Sequence, residues 1–221
     1  MKNFEGLVDS DYFFIEDPRL IAEDYLYRSS TGIHPFALFQ EQLEQINDYC
    51  VFVIKRTDEY IAELKTDEHE CLASPKYGEI TDDVLMGLTE FIIPTWEYNK
   101  EVFLKTTMLV LIFSFVEYCL KTVCLSLQLD LEMNDNRKSK IDTYLEKINQ
   151  CTNNNLKLTT LCKKRLFQGR RVRNLFAHGD WDSIMSELKR GSLLRDYIDM
   201  VVEILYNVET KLVQYKLIDI E

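Results

Sequence analysis

Between residues 163 and 181 the chain reads KKRLFQGRRVRNLFAHGDW, and three side-chain types there could do chemistry. Arginine presents a planar fork of donors that fits two phosphoryl oxygens and keeps its charge throughout. Histidine exchanges a proton near neutral pH. Arg173, Asn174 and His178 therefore stand out as a set suited to a phosphate. Around them Lys163, Lys164, Arg170 and Arg171 could track a phosphate backbone through salt-dependent, sequence-blind contacts. The competing reading is a solvated helix face whose cations pair with acidic neighbours in the same fold.

The net charge of −11 argues against a nucleic-acid partner only if it is evenly spread, and it is not. Residues 1–99 carry net −14, 100–136 net −2, 137–173 net +9 and 174–221 net −4. One basic stretch thus sits inside an acidic chain and ends at the Arg173–His178 string. The acidic N-terminal part could serve as a mask over that basic surface.

Other chemistries find no support. The six cysteines, at 50, 71, 119, 124, 151 and 162, form no CxxC pair, and the histidines at 34, 69 and 178 are not at ligand spacing from them. Neither a metal nor another cofactor is expected, and free thiols in a reducing compartment are the plain reading. No phosphate-cradling glycine loop, HExxH or GxSxG occurs. The N-terminus is acidic and lacks an apolar signal core, and the longest uncharged apolar run, Thr106 to Val116, has 11 residues. A bilayer span needs about 20. A cytoplasmic protein without membrane contact is therefore expected.

The elements that must position these residues are helices. Only seven Gly and four Pro in 221 residues leave too few turns for a sandwich or barrel. An Asp17-Pro18 start predicts a helix to about Arg28, and residues 29–35 a loop. Apolar residues at Phe39, Leu43, Ile46, Cys50, Ile54, Ile61 and Leu64 predict one helix from Phe36 to about Leu72. That period also makes a helix of the strand-like run 49–55. Thr81 should cap a short helix that Pro94 ends. Trp96 to about Leu129 is apolar on most sides and should be the central core helix. Further helices are expected from a cap at Asp135 or Asn136 to Asn149, over 157–177 with Gly179 as its stop, over 182–189, and over 193–217. The expected architecture is all-α: an acidic helical part over 1–94 and a helical bundle over 95–221.

On a helical wheel Lys163, Lys164, Arg170 and Arg171 fall on the side opposite the apolar stripe. Arg165 and Arg173 fall beside it, where an unpaired charge is costly. They need a partner: Glu117 (an acidic residue of the apolar helix), a polar cleft, or a second protomer. In a straight helix His178 would lie about 140° from Arg173, so convergence requires the helix to end first or two copies to pair.

The string RNLFAHG, 173–179, resembles the Arg-Asn-x-x-x-His-Gly form of the HEPN superfamily of helical proteins, over about 95–221. The pair Arg28 and His34, with five residues between, also falls in the family's Arg-x4–6-His range but lies in a Ser-Ser-Thr-Gly loop before a proline. The resemblance implies a metal-independent endoribonuclease that works as a homodimer on RNA. It would be a toxin or antiviral defence effector, with an antitoxin or other regulatory protein as a further partner. His178 would be the general base, Arg173 the phosphate clamp and Asn174 the orienting residue, with Glu117 and Arg165 in structural support. Where some relatives carry a modifiable tyrosine two residues after the histidine, this chain has Asp180. The alternative is a non-catalytic helical dimer or interaction module that binds nucleic acid, a nucleotide or a protein.

Overall fold

The computed structural model describes residues 26–73, 78–131, 139–190 and 194–218. Every regular element among them is a helix. The helix expected from Asp17 and the caps expected at Asp135 or Asn136 lie outside these residues, apart from 26–28, which are not helical.

Helix α1, Phe36–Ala73, runs unbroken for 38 residues. Its buried side chains include Phe36, Phe39, Leu43, Cys50, Ile54, Ile61 and Leu64, the three-and-four spacing of a single apolar stripe. Then α2 (Gly78–Met86), α3 (Ile93–Tyr98) and α4 (Lys105–Ser126) follow, joined by π turns at Gly87–Ile92 and Asn99–Leu104.

Two expectations are corrected here. Thr81 does not cap this helix, which already begins at Gly78. Pro94 does not end it, because it lies in the first positions after a π turn. There the backbone reaches back five residues instead of four, and the wider turn accommodates a ring without an N–H. The division at 94/95 thus falls inside a continuous helix. From Asp82 to Ser126 that helix is long and apolar enough to cross a bilayer by length and composition. Of its apolar window, 56% is buried inside the fold and serves as core.

Helix α4 is the central one, as its composition predicts, with Leu109, Ile112, Phe113, Val116, Cys119, Leu120 and Cys124 all buried. It packs against α5 (Lys140–Cys151), α6 (Thr160–Ala177) and α8 (Leu194–Gln214). Ser139 caps α5, its hydroxyl oxygen accepting from the Asp142 N–H at 3.2 Å. Thr159 caps α6 in the same way at 3.1 Å and gives its own N–H and hydroxyl to Glu203 of α8, at 2.6 and 2.8 Å. Helix α7, Trp181–Arg190, is held by Trp181 between Phe103 and Phe176, at ring separations of 5.7 and 5.6 Å.

One apolar core joins all of this. Tyr27, Phe36, Phe39 and Leu43 belong to the same cluster as α4, α6 and α8. The far half of α1 and the α2–α3 segment share a smaller cluster of Leu64, Leu88 and Ile93.

Candidate functional site

The far end of α6 carries the candidate residues, and its termination sets their geometry. His178 is the C-cap residue, and Gly179 follows at φ +68°. The Gly179 N–H donates to the Phe176 carbonyl at 3.1 Å and the Asp180 N–H to the Leu175 carbonyl at 3.0 Å. This reciprocal pair closes the helix, and glycine takes the left-handed conformation at no steric cost. Asp180 then starts the next helix, its carboxylate accepting from the Ser183 N–H at 3.2 Å. The acid beside the histidine is therefore a helix cap.

An open cleft of about 470 Å³ lies between this end of α6, the start of α5 and Glu117 of α4. Arg170, Arg171, Arg173, Asn174 and His178 line it together with Glu117, Ser139, Lys140, Asp142 and Phe167. Its wall holds four cations against two carboxylates, so the cleft is positive within an acidic protein.

Each arginine is also held from within the chain. Arg173 donates through Nη1 to Glu117 at 3.0 Å, and the other Glu117 oxygen lies 3.4 Å from the Lys140 amine. Of the partners open to Arg173 in the sequence, Glu117 and a polar cleft are both present. The Arg173 side chain stays 36% exposed, so the remainder of its fork still faces the cleft. Arg170 donates to the Ser139 hydroxyl at 2.8 Å and pairs with the Asp142 carboxylate. The wheel places Arg170 on an open side; instead it is half-buried, because the N-terminus of α5 covers that side of α6. Arg171 is exposed and lies 3.2 Å from Glu187 of α7.

Not every expected residue reaches the cleft. Lys163 and Lys164 are exposed two turns earlier on α6 and do not line it. Arg165 is 12% exposed and pairs with Asp196 and Asp199 of α8, so its role is to lock α6 to α8. Arg28 and His34 lie in the loop before α1, and neither lines the cleft.

Sequence reasoning missed Ser139, Lys140, Asp142 and Phe167. Ser139-x-x-Asp142 has the spacing of a capping box and could have been read as a helix start. Nothing in the sequence says that this cap faces α6. Phe167 was legible, since it stands one turn before Arg170 and Arg171 on the same face.

Another polar centre, also unforeseen, lies in the core. Glu209 of α8 is fully buried. Its carboxylate accepts from the hydroxyls of Tyr27, Ser29 and Thr31 at 2.7, 2.7 and 2.6 Å, and from the Ser30 and Thr31 N–H groups at 3.2 and 3.1 Å. Burial pushes this carboxyl up, but the donors from Ser29, Thr31, Tyr27 and Ser30 outweigh it and hold it below the ordinary glutamate range.

Among the described residues no group of three or more His, Cys, Asp or Glu side chains is placed to hold a metal ion. Comparison with family models, curated proteins and solved structures gives no match to this chain.

Proposed function

We propose that the chain is a HEPN-type endoribonuclease that cuts RNA without a metal, as a homodimer. The observation that carries this reading is the shared cleft: Arg173, Asn174 and His178 line one positive wall with Arg170 and Arg171. His178 takes the proton of the ribose 2′-hydroxyl, whose oxygen attacks phosphorus. Arg173, fixed on one edge by Glu117, offers its remaining donors to the phosphoryl oxygens as negative charge builds there. Asn174 orients the histidine or an equatorial oxygen. The bond from phosphorus to the 5′-oxygen breaks, and His178 of the partner subunit protonates the leaving oxygen. The products are a 2′,3′-cyclic phosphate, which water can open to a 3′-phosphate, and a 5′-hydroxyl. A cytoplasmic toxin or antiviral effector under the control of an antitoxin or other regulatory protein is the role this chemistry suits.

A second reading has its own support. Arg170, Arg171 and Arg173 each have a carboxylate partner within the chain, as a purely structural role would require. On that reading the bundle is a non-catalytic interaction module.

Labelled RNA incubated with the protein in EDTA separates the two. The expected result is cleavage by the wild type and a loss of at least a hundredfold, roughly the scale of acid–base catalysis, in both His178→Ala and Arg173→Ala. Folding should be retained by circular dichroism. No cleavage by wild type at high concentration favours the interaction module. Cleavage by a strict monomer would remove the two-copy site.

A further inference from the structure

Phe167 is 60% exposed, lines the cleft, and forms no ring contact among the described residues. It stands on the same stripe of α6 as the polar candidates: Arg170 and Arg171 follow by three and four residues, Asn174 by seven and His178 by eleven. On a helix these spacings fall within about 100° of one another. A large apolar ring thus opens into a positive groove, one turn from two arginines and about 16 Å along the axis from the histidine. It stands outside the buried core.

We infer that Phe167 is a stacking platform for an unpaired nucleobase, with the adjoining phosphate held by Arg171. The flat face of a base suits an exposed ring, and the neighbouring guanidinium suits the phosphate beside it. Bases inside a duplex already stack on one another and cannot reach the ring. The cleft therefore selects single-stranded RNA or loops over duplex. Its distance from His178 places the stacked base further along the strand from the cut bond, so it sets binding, not the chemical step. The inference rests on the ribonuclease reading and deepens it.

The test is fluorescence anisotropy with a 2′-O-methyl single strand, which cannot be cleaved, beside the same strand made abasic and a matched duplex. Wild type should prefer the single strand with bases. Phe167→Ala should weaken that strand about ten- to a hundredfold and leave the abasic strand unchanged, while Phe167→Trp should retain binding. Equal losses on both strands, or none, overturn the stacking role. If wild type cleaves RNA while Phe167→Ala binds like wild type, only this inference fails. If wild type binds no strand, both it and the ribonuclease reading fail. A change in oligomeric state with no change in affinity would assign Phe167 to a protein contact and overturn the inference as well.

Discussion

Glu209 is the residue on which the N-terminal loop depends. Its five hydrogen bonds all come from neutral donors, and four of them come from the three residues 29–31. A buried carboxylate is costly unless its lone pairs are filled, and here they are. Replacing it by glutamine turns an amide donor against those donors and removes the charge that strengthens the bonds. Glu209→Gln should cost about 3 kcal/mol, read from urea midpoints at pH 7. The sign of the pH effect follows from its lowered pKa. The unfolded state then binds more protons, so the contribution is full above the ordinary glutamate value of about 4.3 and is lost as pH falls through the lower folded value. Between pH 7 and pH 3 the gap between wild type and Glu209→Gln should therefore shrink. A constant gap would mean that the carboxylate charge does not matter.

At the scale of elements, the site depends on how closely α6 approaches α4. Gly169 lies against the Phe113 ring: a methyl group there would fall 2.1 Å from the ring. Phe113 is fully buried and meets Tyr197 edge-on at 6.0 Å, so it has no free direction in which to move. Gly169→Ala should cost about 1–3 kcal/mol through overpacking, and lower Tm by several degrees in calorimetry. It should also weaken the Arg173–Glu117 contact, since that bond spans the same two helices. A Tm equal to wild type would show that the helices separate freely. The other end of the site is set by Gly179 and Asp180, which stop one helix and start the next within three residues of His178.

For the whole molecule, the acidic first part and the basic bundle share one core. Tyr27, Phe36, Phe39 and Leu43 are buried among residues of α4 and α8, and a continuous helix crosses residue 94. Removing residues 1–94 strips those side chains from the core and takes away all five hydrogen bonds to Glu209. The remaining 95–221 should fail to fold, seen as lost helical signal and no cooperative melt. A truncated chain that folds and cuts RNA faster would instead support a masking role for the acidic part.

Much of this was legible in the chain alone. The apolar period gave α1 and α8, and apolarity on most sides gave α4, because helix formation by such stretches is a local matter of composition and spacing. The Gly179 stop was legible for the same reason, and so was the Arg173–Asn174–His178 string. Where the chain departs from those expectations, the main cause is a contact between distant segments. Arg170 is covered by the α5 cap 31 residues away and Arg165 is taken by α8, while Pro94 departs for a local reason, the π turn that precedes it. The Tyr27–Glu209 bond joins residues 182 positions apart. Sequence determined which residues are cations, rings and carboxylates, and on which helix face each lies. Only the tertiary structure decided which carboxylate meets which cation, because that depends on which helices pack side by side, and spacing along one helix does not encode it.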